Sequence, residues 1–571
     1  MPSPPRTRHL AGSPLFTPSM HVLSRAEQSR ISYNRARETV RAYGLTMDDI
    51  LTLSPKFWEL HQDPLAVLDG AAMTLATIQV NLTAGTIARH ASDKPELVSL
   101  VEDLLAYRKH GQFLLTEVGH GLDIANLETT AMLQPSGDFI LNTPTPQAAK
   151  FMPPTIPAGL PTIGVVWARL LVSDEDRGIR PFVVALNDGE QMCAGVKSRL
   201  LPERGGTNPL NHSITTFHDV RLPSTAILGP LEAYNSPKIA LNHAIWRVVT
   251  GTLAIGSSTL PAMKATATIG AMYSLRRRVG PPGKRVPIIH FRTQQIPILT
   301  LVARIHVMEA FLQWCTGIFS DTTIDPRVRH AIAGIFKTTI SEHANTASID
   351  ISDRCGVQGL FAYNQLTTMH NDARGIVIAE GDVLVLSIKL ATEMLQGRYC
   401  APAPKDHNSL LARHEIGLFE ENRALLSQFP HQHRSDEVNR LILPQCQSII
   451  EAIGHRMAYE AAVAAGVQQD LINLYVASVV KHDLAWYSEN VDFGRRALAE
   501  LETEALDAVL PQLSSLVTKM EMEPWIYSKI VSDESWDAFV ETCPVFEGNA
   551  LVQFPEIGPK VLDAKATATA H

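Results

Sequence analysis

The protein has 571 residues, and at about 150 residues per domain this length predicts three to four domains. Apolar residues make up 45% of the chain and charged residues 19%, which is enough for a large interior and excludes wholesale disorder. The 50 Lys and Arg residues against 58 Asp and Glu residues give a net charge of -8, which excludes the basic surplus of a nucleic-acid-binding protein.

The first two blocks of the chain differ in hydrophobic pattern. Residues 1–25 are rich in Pro, Ser and Arg and predict a loose tail, whereas 26–110 carry apolar residues at helical spacing and predict an N-terminal helical domain. Between 111 and 232, strand-like runs such as Phe139-Ile140-Leu141 alternate with Pro and Gly. This block predicts a β domain inserted between helical ones.

Helical patterns return at 233–403 and again at 404–555. The first of these blocks predicts long helices over 239–272, 293–319, 328–343 and 383–395, and a polar linker follows at 404–408. The second predicts three or four further amphipathic helices, and 556–571 predicts a frayed tail. The predicted fold class is therefore mostly α with an inserted β domain.

The spacing of the cysteines and the hydropathy of the chain indicate where in the cell the protein is expected to reside. The six cysteines are far apart and form no CxxC pair, which is typical of reduced thiols in an intracellular protein. No stretch of about 20 residues stays apolar without charges or turn-forming residues, so we expect no membrane span. The chain ends Ala-Thr-Ala-His and not in the Ser-Lys-Leu address, and we expect a peroxisomal or cytoplasmic location.

Short sequence signatures with a known mechanism are absent. Gly119-His120-Gly121 begins like a dinucleotide-binding fingerprint, but its third glycine is replaced by Ile124. His431 and His433 have no further ligand nearby in the sequence, which favours a solvated loop over a metal site. We therefore expect no metal ion.

Two segments carry residue types suited to a ligand site. The first contains Thr116, whose hydroxyl precedes the flexible backbone around Gly119 and Gly121, and its local alternative is an ordinary tight turn. The second contains Glu380, followed by Gly381 and Asp382 at the predicted start of a helix. A carboxylate there can act as a base above a pocket, or it can simply complement the helix dipole.

These segments, in this order and spacing, resemble the acyl-CoA oxidase and acyl-CoA dehydrogenase superfamily, and the oxidase branch in particular. The resemblance extends from about residue 26 to about residue 554. It is carried by runs throughout the β and helical blocks: Leu115-Thr116-Glu117-Val118-Gly119-His120-Gly121, Phe217-His218-Asp219-Val220-Arg221-Leu222-Pro223, Phe291-Arg292-Thr293-Gln294-Gln295, Cys355-Gly356-Val357-Gln358-Gly359 and Glu380-Gly381-Asp382.

The resemblance implies the acyl-CoA dehydrogenase-like fold: an N-terminal helical domain, a middle β-barrel domain and a helical bundle, plus the extra C-terminal helical domain of oxidases. It implies FAD as cofactor, an acyl-CoA or related acyl thioester as substrate, O2 as electron acceptor and a homodimer. The product would be the trans-2-enoyl-CoA. Glu380 would be the catalytic base, and the residues implied in FAD binding are Thr116, Gly121, Met152, Arg276, Gln295, Gly356 and Asp382.

Several positions depart from the family pattern. Met152 stands in the family's aromatic pair, Pro154 replaces a glycine, Arg292 replaces a glutamine and Val357 replaces the second glycine of the glycine turn. Two alternatives therefore stay open beside an ordinary acyl-CoA oxidase. One is a dehydrogenase-type enzyme for a specialised, biosynthetic acyl thioester, and the other is a non-catalytic helical scaffold that retains the fold.

Overall fold

The structure of the protein, a computed structural model, describes residues 5–17, 23–92, 94–429 and 435–551. Helices come first, a block of strands follows, and two further runs of helices complete the described chain. The predicted fold class, mostly α with an inserted β domain, is confirmed. We keep 26–110, 111–232, 233–403 and 404–555 as proposed domain limits; the predicted tail at 556–571 lies outside the described residues.

The N-terminal block is helical because its apolar spacing is interrupted only by strong capping residues. Ser24 and Thr46 each form a reciprocal capping box with the third residue of the helix that follows, and Asp63-Pro64 separates two helices. The helices are α1 (Arg8–Ala11), α2 (Arg25–Tyr43), α3 (Met47–Thr52), α4 (Pro55–His61), α5 (Leu65–Leu68), α6 (Gly70–Thr77), α7 (Gly85–Ala88) and α8 (Pro95–Leu105), with a π-helix, Ile78–Ala84, between α6 and α7.

The prediction of a loose tail over residues 1–25 is wrong for residues 5–17. Thr7 is fully buried, and its hydroxyl lies 2.7 Å from both carboxylate oxygens of the buried Asp63. Phe16 is also buried and lies beneath the guanidinium of Arg35. Composition alone missed this segment because two well-placed side chains are enough to anchor a Pro-rich stretch.

We expect Phe16→Ala to lower the free energy of unfolding by about 3 kcal/mol, because truncating a buried aromatic ring removes apolar burial and leaves a cavity. Urea titration of the purified protein measures this loss. His9→Ala, an exposed position on α1, is the matched control and should be nearly neutral. Equal effects of the two substitutions would contradict a packed N-terminal segment.

The β block contains β1 (His110–Leu114), β2 (Thr130–Leu133), β3 (Phe139–Asn142), β4 (Lys150–Phe151), β5 (Thr162–Val172), β6 (Glu175–Asn187), β7 (Val196–Leu200), β8 (Ser213–Phe217) and β9 (Val220–Leu222). β1 and β2 pair in parallel with successive parts of β5, and β6 pairs with β5 in antiparallel register. β4, β8 and β7 form a separate three-stranded sheet. Side chains from both sheets, among them Phe182 and Phe217, share one buried apolar cluster.

The helical block after the strands contains α9 (Pro237–Ala244), α10 (Trp246–Ser257), α11 (Thr259–Arg276), α12 (Arg292–Ser320), α13 (Pro326–Arg354), α14 (Leu366–Ile378) and α15 (Val383–Leu395), with a small ribbon of β10 (Arg278–Val279) and β11 (Val286–Pro287). The helix predicted over 239–272 is three helices, α9 to α11, interrupted at Ile245 and at Ser258. The helix predicted over 383–395 is observed with those bounds, whereas α14 was not predicted.

Among the described residues, α12 is the helix that is long and apolar enough to cross a membrane. Of its most apolar 18-residue stretch, 72% is buried inside the protein, where α12 packs against α11, α13 and four helices of the C-terminal block. A central helix of a large bundle is apolar on all sides for this reason.

The C-terminal block comprises α16 (Leu410–Ser427), α17 (Asp436–Leu441), α18 (Cys446–Ala464), α19 (Gln469–Val480), α20 (Leu484–Asn490), α21 (Arg495–Val509), α22 (Leu513–Lys519) and α23 (Asp533–Val540). α18 and α19 pack on α12, and α15 packs on α18. A buried ion pair of Arg456 with Glu415 further joins α18 to α16. This block therefore shares one apolar core with the preceding helices.

Candidate functional site

The turn between α14 and α15 carries Glu380. Glu380 has φ = 52° and Gly381 has φ = 98°, so two successive residues are in the left-handed region. Such a conformation is unfavourable for a residue with a side chain and persists only where the surroundings impose it. Asp382 then begins α15 by accepting a hydrogen bond from the amide of Val385 at 3.2 Å.

Neighbouring helices hold each carbonyl of this turn. The amine of Lys337, on α13, donates to the carbonyl oxygens of Ala379 at 2.5 Å and Gly381 at 2.6 Å. The hydroxyl of Thr252, on α10, donates to the carbonyl of Glu380 at 2.8 Å. Because these three bonds come from two helices, they fix the unfavourable backbone and with it the direction of the Glu380 side chain.

The Glu380 carboxylate points at α10 and the π-helix. A Cβ atom added at Gly251 would lie 1.2 Å from Oε2 of Glu380, so only glycine leaves room for the carboxylate at that position. Oε2 is buried and accepts no hydrogen bond from the described residues. The amide of Asn81, from the π-helix, lies beside it and donates to the carbonyl of Arg247 at 3.0 Å. A buried carboxylate oxygen without a partner is rare in stable interiors and common in reactive sites.

Burial controls the electrostatics of this site. It raises the pKa of Glu380 to about 8, against the opposing effect of the cations of Lys337 and Arg247. Burial also lowers the pKa of Lys337 to about 8 and that of Arg247 to about 9. Glu380 is therefore a stronger base than an exposed glutamate once it is ionised, and the two cations limit the cost of that ionisation.

The structure brings three predicted residues of the β block together. The amide of Phe151 donates to the carbonyl of Thr116, and this places Thr116 beside Met152. Met152 has φ = 107° and an exposed side chain, and a Cβ at Gly121 would meet no atom within 4 Å. Beneath them, the buried Lys150 donates to Glu117 at 2.9 Å and stiffens this edge of the sheet.

A second predicted group lies at the end of α11. Arg276 forms an ion pair with Asp533 and donates to the carbonyl of Ile530, so the C-terminal block of the same chain already engages it. Gln295 is buried and donates to the carbonyls of Ile289 and His290. Gly356, with φ = 61°, follows α13 at an open position on the surface.

The predicted site residues thus form three groups, and within the described chain no hydrogen bond or ion pair joins one group to another. One contains Thr116, Gly121 and Met152, the second Arg276, Gln295 and Gly356, and the third Glu380 and Asp382. His431 and His433 lie outside the described residues.

Sequence reasoning missed the residues that support Glu380: Asn81, Arg247, Gly251, Thr252 and Lys337. The one available signal was charge in an apolar setting. Arg247 is the charged residue of α10, and Lys337 lies within residues 331–341 of α13, where no other Asp, Glu, Lys or Arg occurs; both are buried.

Comparison with known proteins bears on the segment that contains this site. Residues 247–395 match the family model described as acyl-CoA oxidase, C-alpha1 domain, and this range includes Arg247, Lys337 and Glu380. Over this range the chain is similar to the C-alpha1 domain of acyl-CoA oxidases.

Curated acyl-CoA oxidases are similar over part of the chain. An acyl-coenzyme A oxidase of Eremothecium gossypii is 25% identical over 365 residues, which is 58% of this chain and 50% of that protein. The human peroxisomal acyl-coenzyme A oxidase 3 is 25% identical over 328 residues, 52% of this chain and 47% of that protein. The chain thus spans about half the length of the curated relatives it matches.

Solved acyl-CoA oxidases share the fold over nearly the whole chain. The acyl-CoA oxidase 3 of Yarrowia lipolytica superposes with a TM-score of 0.80 at 17% identity, covering 96% of this chain and 93% of that one. Acyl-CoA oxidase-2 of Caenorhabditis elegans, solved with FAD, ascaroside-CoA and ATP, has a TM-score of 0.70 at 17% identity and covers 96% and 97%. The acyl-CoA oxidase-type fold, including its C-terminal helical block, is therefore confirmed.

Proposed function

We propose that the protein oxidises an acyl-CoA thioester to the trans-2-enoyl-CoA, with FAD as cofactor and O2 as electron acceptor. The single observation that supports this most strongly is the buried carboxylate oxygen Oε2 of Glu380, which accepts no hydrogen bond from the described residues and lies on a left-handed turn held by Lys337. The match of residues 247–395 to the acyl-CoA oxidase C-alpha1 model supports the choice of reaction, since this segment contains Glu380. The peroxisomal relatives favour a peroxisomal over a cytoplasmic location.

Glu380 removes the α-proton of the thioester in this proposal. An α-proton beside a thioester carbonyl is weakly acidic, so its removal needs a base whose proton affinity is raised, and burial of Glu380 provides this. Carbonyl acceptors of the turn are already occupied by Lys337 and Thr252, so the backbone does not shift when the carboxylate gains a proton. Gly251 leaves the space next to the carboxylate free of a side chain.

The residues of the β edge fit a flat, largely apolar ring system. Met152 is exposed there, the backbone at Gly121 is open, and Thr116 offers a hydroxyl that is not hydrogen-bonded to another described residue. FAD would supply the oxidant that takes the β-hydrogen as hydride, and O2 would take up the two electrons with two protons to form hydrogen peroxide. Arg276 is paired with Asp533 and would exchange that carboxylate for a phosphate.

Exposed apolar side chains support the proposed homodimer. Val357 and Leu360, after α13, are 65% and 68% exposed, and Ile378, at the end of α14, is 66% exposed. Large apolar side chains with this exposure mark a surface that another protein covers. Because Gly356 belongs to the same surface, a second copy there would lie beside the residues expected to hold FAD.

The first experiment is reconstitution followed by turnover. The purified protein incubated with FAD should retain the yellow colour after gel filtration, and an acyl-CoA should bleach it without O2 and release hydrogen peroxide with O2. A panel of acyl-CoA thioesters identifies the substrate class, and an added electron-transfer flavoprotein separates dehydrogenase from oxidase activity. A preparation that stays colourless after reconstitution would overturn the proposal in favour of a scaffold.

We expect kcat/KM for the acyl-CoA to rise with pH and to level off above about pH 8. The protonated carboxyl of Glu380 cannot accept a proton, and burial raises its pKa to about 8, so the active fraction grows as pH increases through that value. The measurement is initial peroxide release from about pH 6 to about pH 9, with FAD retention followed by absorbance at each pH. A profile already level at about pH 5 would contradict a buried base.

A further inference from the structure

Three histidines and a glutamate meet where the central bundle contacts the C-terminal block. Glu342 and His343 are successive residues of α13, His455 lies on α18, and His482 follows α19. His343 is fully buried, and His455 is 5% exposed. Nothing in the reaction proposed above uses this cluster, and no short sequence spacing announces it because its members come from three helices.

The distances between these side chains suit a small cation. Oε2 of Glu342 lies 2.5 Å from Nδ1 of His343 and 3.8 Å from Nε2 of His455. One ligand atom from each of the three lies within 4.8 Å of the other two. A tetrahedral zinc ion with bonds of about 2.1 Å separates its ligand atoms by about 3.4 Å, and the observed separations bracket that value.

Several buried polar atoms of this cluster have no hydrogen-bond partner within the described part of the chain. Both ring nitrogens of His343, Nε2 of His455 and Oε2 of Glu342 are buried and have no partner with hydrogen-bond geometry among the described residues. Leaving these four buried polar atoms without hydrogen bonds is costly for a stable interior. A bound cation would use the lone pairs of all three side chains.

Arg304 excludes His482 from the same role. Its Nη2 lies 3.2 Å from Nε2 of His482, and because arginine has no acceptor, Nε2 of His482 must accept that hydrogen bond. Arg304 also donates to the hydroxyl of Ser478 at 3.3 Å. The positive charge of Arg304 lies close to the cluster, and the negative charge of Glu342 offsets it.

We propose that Glu342, His343 and His455 form a binding site for a zinc ion. Two imidazoles and one carboxylate are a ligand set that zinc takes in proteins, with water completing four-coordination. Glu342 lines an open cavity of about 310 Å³, together with Asn345 and Gln447, and this cavity gives the ion a route of entry. The ion links α13 to α18 and so ties the C-terminal block to the central bundle.

None of the three proposed ligands has a role in the proposed oxidation, although the cavity beside Glu342 extends to Asp382. Lys337, which holds the Glu380 turn, is five residues before Glu342, so Glu342 lies about 7.5 Å further along α13, at about 1.5 Å per residue. Its expected contribution is to stability, since an ion bound only by the folded state raises the midpoint of thermal unfolding.

The test is metal binding by the tag-free, full-length protein after EDTA treatment and removal of the chelator. We expect about one zinc ion per chain by calorimetry and elemental analysis, and a higher unfolding midpoint with zinc. Cobalt(II) in place of zinc should give the intense visible bands of a tetrahedral site. Alkylation of the thiols beforehand excludes binding at the exposed Cys400 and Cys543.

Glu342→Gln and His455→Gln should each weaken zinc binding by at least 10- to 100-fold, since even loss of an outer partner of a metal ligand has that effect. His414→Gln is the matched control, because His414 is a largely buried histidine of the same block that pairs with Asp483. Glu342 borders the cavity, so its variant is expected to fold even if changes at His343 do not. No zinc uptake, or uptake unchanged in both variants, would overturn the proposal and leave a metal-free cluster.

Discussion

Glu380→Gln is expected to reduce acyl-CoA-dependent bleaching of the reconstituted protein by roughly 10²- to 10⁴-fold, the usual contribution of a positioned base. The amide has the size of the carboxylate and fits the space that Gly251 leaves, so the fold and the FAD content should be unchanged. Thr252 and Lys337 donate to the backbone of the turn, and the substitution leaves those bonds in place. Anaerobic stopped-flow absorbance measures the effect.

Glu393→Gln is the matched control, since Glu393 lies on α15 beyond the turn and pairs with Arg398 at the surface. It should bleach at the wild-type rate. Unchanged bleaching in Glu380→Gln, with Glu393→Gln also unchanged, would remove Glu380 from the mechanism.

The pH dependence of stability gives an independent readout of the same variant. Because burial raises the pKa of Glu380 to about 8 from an ordinary value of 4.5, the folded protein loses stability as pH rises between these values. The amide introduced by Glu380→Gln cannot ionise, so the variant should unfold at a higher temperature than the wild type above about pH 8. Below about pH 5 the two midpoints should converge.

Lys337→Met has the second largest expected effect, because Lys337 supports Glu380 both mechanically and electrostatically. Without its amine, the carbonyls of Ala379 and Gly381 lose their donor inside the protein, a loss of about 2 to 4 kcal/mol in the free energy of unfolding. Loss of the neighbouring cation raises the pKa of Glu380 further. The rising limb of the pH–rate profile should therefore move to higher pH by about one pH unit.

The measurement compares kcat/KM from about pH 6 to about pH 9 in Lys337→Met, Lys337→Arg and wild-type protein. Lys264→Met is the matched control, since Lys264 pairs with Glu309 at the edge of α11 and α12 and does not face Glu380. If kcat/KM is lower in Lys337→Met but rises over the same pH range as in the wild type, Lys337 acts only by stabilising the fold. A rise of kcat/KM over the same pH range in the wild type and all three variants would contradict an electrostatic effect of Lys337 on Glu380.

Much of the fold could be predicted from periodicity because long amphipathic elements dominate it. The helices α12 and α15 were predicted to within one residue of their bounds, since apolar spacing and the cap at Asp382 coincide there. The single helix predicted over 239–272 is wrong because Ile245 and Ser258 interrupt it. No Pro or Gly marks the break at Ile245, whereas Gly256 and Pro261 flank the break at Ser258. The packed segment around Phe16 was missed because its anchors depend on tertiary contacts.

The candidate site was predicted only in its position along the chain. The resemblance selected Glu380, but its left-handed backbone, the bonds from Lys337 and the space at Gly251 follow from helices that meet in three dimensions. Arg276 shows the opposite case, since the resemblance implies that it binds FAD and the structure pairs its guanidinium with Asp533. The cluster of Glu342, His343 and His455 had no sequence signal at all.

The most direct test of Glu380 as the base is hydrogen exchange at the α-carbon of an acyl-CoA that has oxygen or sulfur at its β position. Such a thioester has no β-hydrogen to lose, so only proton removal can occur. In deuterated buffer, wild-type protein should introduce deuterium at the α-carbon, detected by NMR or mass spectrometry, and Glu380→Gln should not. Equal exchange by the two proteins, or none by the wild type, would contradict a catalytic base at position 380.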